Sequence, residues 1–217
     1  LEKARESFNK GNYKDVVKSL KNFEKYGYDH YESLMLLGYS YFYLGKGKDA
    51  VKSFSRALSL SPESKEAALL LGKSYIMIGK RNDALKAFEA SLNIDPHYKD
   101  ALLNTGVALA ELGKNEEAEE KFRQITEMYP DEKKGWYNLG LVNFHKKNYA
   151  VSEDCFKRAL ALDPDFTEAQ YNLAAVYCVT ENEGGFLEYV EKIKAKNSRL
   201  AKMLNDACKK ERKKLRR

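Results

Sequence analysis

Asn104, Asn138 and Asn172 stand 34 residues apart. A side-chain amide offers a donor and an acceptor together, which is the pattern of one peptide unit. Amides at a fixed interval therefore suit an extended guest chain, holding its backbone while its side chains stay free. Tyr137 and Tyr171 adjoin two of these positions, and Phe144 and His145 follow, so rings are at hand to pack a guest. Lys73 and Lys134 would favour acidic groups on it. This is the chemistry of recognition. His30, His97 and His145 lie far apart in sequence, and no nucleophile motif, phosphate loop or paired-ligand spacing occurs. No catalytic residue, metal ligand or cofactor is assigned, and the chain is expected not to be an enzyme.

Cys155, Cys178 and Cys208 are the only cysteines. Their number is odd and no Cys-x-x-Cys is present, so neither a disulfide framework nor a zinc cluster is indicated. The expectation is three helix-packing thiols in a reducing compartment.

The formal net charge of +6 is concentrated in one place. Residues 209–217 hold seven basic groups against Glu211, while the other 208 residues carry 31 of each sign. A nucleic-acid track along the body needs a basic excess that the body lacks. The basic tail is a candidate contact for anionic lipid, acidic protein or RNA.

The elements that must position these residues follow from the period. Gly38, Gly72, Gly106 and Gly140 share the 34-residue step, as do Phe54, Phe88, Phe122 and Phe156, and Pro62, Pro96, Pro130 and Pro164. Ala50, Ala84 and Ala118 keep it too, and Ser152 continues it. Such a period means one supersecondary unit copied and stacked. One unit reads Leu37-Gly38-x2-Tyr41, then Ala50-x3-Phe54, then Pro62; another reads Trp136-x2-Leu139-Gly140, with Asn143 in the place of Tyr. This pattern resembles the tetratricopeptide repeat family. The resemblance implies an all-α, right-handed superhelical solenoid of helix-turn-helix repeats with a C-terminal capping helix.

On this reading 1–30 is a truncated first repeat, and 31–64, 65–98, 99–132 and 133–166 are full repeats. A divergent repeat (167–197) and a capping helix with the basic tail (198–217) complete the chain. Gly45, Gly79 and Gly113 should close first helices in the left-handed conformation, with Lys147-Asn148 taking that role in the fifth unit. Gly38 and Ala50 should lie where two helices cross, and Phe54 between successive units. In the divergent repeat Glu181 replaces the turn glycine and the helix spacing is open. Ser198 should cap the last helix, whose apolar stripe ends at Cys208. Gly11, Tyr13, Val16, Leu20 and Phe23 fall in phase with the second helix of the next unit. The start at Leu1, inside a repeat and without Met, suggests a trimmed piece.

In the family, first helices line a concave groove. That places Met35, Leu36, Tyr39, Leu69, Leu70 and Lys73 on a largely apolar inner face. Asn104, Lys134, Tyr137, Asn138, Tyr171 and Asn172 fall on a more polar one. Some family members clamp the acidic C-termini of heat-shock chaperones with five Lys, Arg and Asn positions; here three of the five depart. The expected function is a non-catalytic adaptor that holds an extended or helical segment of another protein. A self-assembling scaffold and a regulatory interaction domain of a larger enzyme are the alternatives. No apolar run approaches the ~20 residues that span a bilayer, and a cytoplasmic location is expected.

Overall fold

The computed structural model describes residues 1–25 and 30–215, with side chains for all of these but 22–25 and 215. Phe23 therefore lies outside the described side chains, and Arg216 and Arg217 outside the described residues. Among the described residues there are thirteen α-helices and no strand. The chain forms two compact units, Leu1–Gly113 and Lys114–Arg217.

The first unit holds α1 (Glu2–Asn9), α2 (Tyr13–Lys25), α3 (Tyr31–Tyr43), α4 (Gly47–Leu60), α5 (Lys65–Met77), α6 (Arg81–Ile94) and α7 (Lys99–Glu111). Each helix from α3 to α6 packs on the next in the chain. The turn between α3 and α4 shows why the hairpin closes. Gly45 takes φ 71°, and the Lys46 N–H reaches back to the Tyr41 carbonyl at 2.8 Å, so the free carbonyls of the helix end gain a partner. The same backbone bond joins Lys80 to Tyr75 at 2.9 Å. Pro62 and Pro96 follow the ends of α4 and α6, where an imino nitrogen cannot continue the ladder.

Glycine at the hairpin crossing makes room for a ring. A Cβ on Gly38 would stand 2.5 Å from Phe54 Cε1, and one on Gly72 would stand 2.4 Å from Phe88 Cε1. Both rings are buried, as are Ala50 and Ala84. Phe54 thus fills its own hairpin, where the sequence suggested the space between hairpins. Lys65 ties the start of α5 to Asp95 after α6 at 2.6 Å.

The second unit holds α8 (Asn115–Met128), α9 (Lys133–His145), α10 (Tyr149–Leu162), α11 (Thr167–Val179), α12 (Glu183–Lys196) and α13 (Ser198–Leu215). Lys133 and Asp163 repeat the inter-hairpin tie at 2.5 Å. Asn143 is buried where other repeats carry Tyr; its amide donates to the Leu139 carbonyl at 3.0 Å and its oxygen accepts from Asn148 at 3.3 Å. Buried Glu119 receives Lys146 at 2.6 Å and Arg123 at 2.7 Å. Burial alone would raise its carboxyl; the two cationic donors outweigh that and hold it below the usual carboxylate range.

Four expectations change here. The left-handed residue of the fifth repeat is Lys147 at φ 63°, and Asn148 instead stands just before α10, at its N-cap position with φ −81°. The sixth repeat keeps regular helices, because Glu181 itself adopts φ 57°. Gly185 is needed there, since a Cβ would meet the Tyr177 ring at 2.7 Å. The last helix is capped by Asn197, whose side-chain oxygen accepts the Leu200 N–H at 3.0 Å, while Ser198 is its first residue.

The fourth change is the largest. Cys178 and Cys208 form a disulfide, which fastens α13 to α11, and only Cys155 is a free thiol. Burial pushes the Cys155 thiol up to about 12, so it stays protonated and inert. The cap also extends past Cys208. Arg212 lies over the Phe186 ring at 5.7 Å, donates to the Cys178 carbonyl at 3.3 Å and pairs with Glu183 at 2.5 Å.

Candidate peptide-binding faces

In the first unit, one face of α3 and α5 packs on α4 and α6, and the other meets neighbouring first helices. Four of the expected residues come together there. Tyr39 of α3 and Leu69, Leu70 and Lys73 of α5 line a cavity of about 240 Å³. Phe42, Tyr43, Glu66, Tyr98 and Asp100 complete the lining. Tyr39 is fixed edge-to-face on Phe54, with centroids 5.6 Å apart and planes at 89°. Leu69 and Leu70 are buried, so they form a floor and not an open stripe. Burial, followed by the charge on Glu66, raises the Tyr98 phenol above its ordinary value. Burial also raises that of Tyr39, with neighbouring phenols adding to it.

Met35 and Leu36 are not part of this lining. Met35 is buried in the core, and Leu36 packs partly buried against the same cluster. Neighbouring helices cover Met35 and part of Leu36, so of the expected apolar face only the part at Tyr39, Leu69 and Leu70 lines an open-mouthed pocket. The sequence reading missed Tyr98 and Asp100. Asp100 was detectable, being one repeat step after Glu66.

The asparagines do not present free amides. Asn104 donates to the Asp100 carbonyl at 2.6 Å, Asn138 to Lys134 at 2.9 Å and Asn172 to Glu168 at 2.8 Å, each four residues back on its own helix. Asn172 also donates to the Tyr137 hydroxyl at 3.1 Å. Both of its N–H groups are therefore committed, and only its oxygen is left for a guest. Asn104 and Asn138 each keep an oxygen and one N–H. All three side chains are half-buried on first helices.

In the second unit, Tyr137 rests against Phe166 and Phe156, with centroids at 4.9 and 5.9 Å. Lys134 is exposed at the start of α9. Tyr171 lines a separate cavity of about 370 Å³ with Phe144 and Tyr149, and the far wall is α13 with the disulfide. Tyr137, Asn138 and Lys134 lie outside that cavity's lining. No group of metal-ligating side chains occurs among the described residues, and no helix among them is long and apolar enough to cross a membrane.

Paired helices at a fixed step, with ring-lined cavities on the first-helix faces, define a helical-repeat protein. The tetratricopeptide repeat model matches residues 1–65, 35–96, 69–133 and 108–165, and the chain belongs to the tetratricopeptide repeat family. No curated protein matches it. Among solved structures, a tetratricopeptide repeat protein from Parabacteroides merdae is similar at 22% identity and TM-score 0.81, over 96% of this chain and 83% of that one. PilW, a type IV pilus biogenesis factor, is similar at 19% identity and TM-score 0.79, over 94% and 95%. YrrB, described as having an unusual peptide-binding site, is similar at 19% identity and TM-score 0.69, over 86% and 96%. At these identities the likeness concerns the fold.

Proposed function

We propose that this protein is a non-catalytic adaptor whose first-helix faces hold segments of partner proteins. The observation that carries the reading is the cavity bounded by Tyr39, Leu70, Lys73 and Tyr98. It offers an apolar floor, aromatic walls and a few charges, the composition of a side-chain pocket. In the second unit, the oxygens of Asn138 and Asn172 can accept backbone N–H groups of a guest, and the Tyr171 cavity can seat one of its side chains. The fold is compatible with this role, as the peptide-binding site named for YrrB illustrates.

The disulfide bears on location. A Cys178–Cys208 bond persists in an oxidising compartment and would be reduced in a typical cytosol. It favours an oxidising compartment over the cytoplasmic one expected from the sequence.

The test is a random-peptide display selection on the full chain, followed by photo-crosslinking from a photoreactive residue at position 43 or 171. The reading expects selected peptides to crosslink at one of these positions and not from a matched position on α6 or α12. Crosslinks confined to the α6 or α12 controls would contradict it.

A further inference from the structure

We propose that the cavity of the first unit is an acceptor site for an arginine side chain of the partner segment; this rests on the reading that the first-helix face holds such a segment. The chain contains its own template. Arg5, Tyr39 and Lys73 occupy one repeat position, and Glu32, Glu66 and Asp100 another, each at the 34-residue step. In the first pair, Arg5 Nε and Nη2 each donate to one oxygen of the Glu32 carboxylate, a fork laid from α1 onto α3. The hydrogen bonding lowers the Glu32 carboxyl and raises the Arg5 guanidinium.

One step along, Tyr39 stands where Arg5 stood, and no ion pair to Glu66 occurs among the described residues. The cavity opens at that place, with Tyr39 and Glu66 both in its lining. One step further, Lys73 and Asp100 occupy the paired positions and both line the same cavity, yet no ion pair joins them among the described residues. The lining thus carries two carboxylates against one ammonium. Lys65 approaches the Tyr98 ring at 4.8 Å from beside the cavity, but Asp95 neutralises it at 2.6 Å. Negative charge from Glu66 and Asp100 is felt at the Tyr98 phenol, second only to burial.

Acidic residues in the first turns of α5 and α7 also suit the helix dipole. That accounts for a carboxylate at the position but not for a ring-walled cavity beside it. A guanidinium answers both features. It is planar and stacks on rings, and its fork matches a carboxylate in two parallel bonds. The chain uses the stacking elsewhere, with Arg158 over the Trp136 ring at 4.8 Å. Lysine satisfies the charge but neither the plane nor the fork.

The experiment is amide NMR of the full chain titrated with acetyl-Gly-Arg-Gly-amide and with its citrulline, lysine and leucine counterparts. The arginine peptide should shift amides in 39–43, 66–73 and 98–100, and the citrulline peptide should bind at least tenfold more weakly. Glu66→Gln with Asp100→Asn should weaken the arginine peptide at least tenfold. Lys73→Gln should tighten it, because a like charge is removed. Equal binding of citrulline, no loss in the double variant, or weaker binding in Lys73→Gln would overturn the arginine site. If leucine binds as well as arginine, the site falls while the broader adaptor reading stands. If no peptide shifts these amides, the site also falls, and the crosslinking of selected peptides judges the adaptor reading separately.

Discussion

Ser152 Oγ donates to the Gly140 carbonyl at 2.8 Å across the crossing of α9 and α10. The bond is possible only because the helices approach closely, and Gly140 permits the approach. A Cβ there would stand 2.7 Å from Phe156 Cε1, and Phe156 is fully buried. Gly140→Leu should therefore destabilise the second unit by about 1–3 kcal/mol or more, as overpacking of a filled core does. Ser152→Ala should cost about 1 kcal/mol through the lost hydrogen bond. Thermal unfolding checks both, and midpoints equal to that of the parent would contradict the crossing.

The disulfide gives a count and a stability change. Unfolded without reductant, the chain should show one titratable thiol, from Cys155, and three after reduction. The bridge closes a segment of 30 residues, for which the chain-entropy model gives about 3–4 kcal/mol. Cys208→Ser should lower the melting temperature of the second unit. Three thiols in the chain isolated without reductant would contradict the bridge.

Arg212 makes part of the basic run structural. Its guanidinium pairs with Glu183 and covers Phe186, so Arg212→Ala should destabilise the cap by about 1 kcal/mol. Lys213→Ala, at an exposed position, should be neutral. Denaturant titration of the two variants checks this, and equal stabilities would place the end of the cap at Cys208.

Glu119 should make stability depend on pH in a stated direction. Its folded carboxyl lies below its unfolded value, so its contribution is present above the unfolded pKa and is lost as pH falls through the folded one. Glu119→Gln should cost about 1–3 kcal/mol at pH 7, since it removes the charge and puts an NH2 in place of one of the two oxygens that accept from Lys146 and Arg123. The deficit should shrink as pH falls below about 4. A deficit of the same size at pH 3 and pH 7 would contradict the ion-pair account.

The hairpins were legible because packing imposes them locally. Gly38 must clear Phe54, as Gly72 must clear Phe88 and Gly140 must clear Phe156, and the positive φ of Gly45 recurs at each 34-residue step from Gly11 to Glu181. The disulfide was not legible. Cys178 and Cys208 meet only because α12 returns the chain so that α13 packs on α11, and neither cysteine belongs to the repeat pattern. Met35 was misplaced because a two-faced helix in sequence does not reveal how closely its neighbours approach. The asparagine bonds to the i−4 carbonyl are local, and such back-bonding by a short polar side chain could have been anticipated.

The central claim is that a guest lies on the first-helix faces. Its most direct test is calorimetric titration of one display-selected peptide against the parent and three double variants: Tyr43→Ala with Tyr98→Ala, Asn138→Ala with Asn172→Ala, and an outer control, Lys86→Ala with Lys121→Ala. Each lost hydrogen bond to a guest is worth about 0.5–1.5 kcal/mol. At least one of the first two variants should therefore weaken binding by about one power of ten or more, with the fold intact by circular dichroism. The control should match the parent. Parent-like affinity in both inner variants would contradict the account and move the binding surface elsewhere.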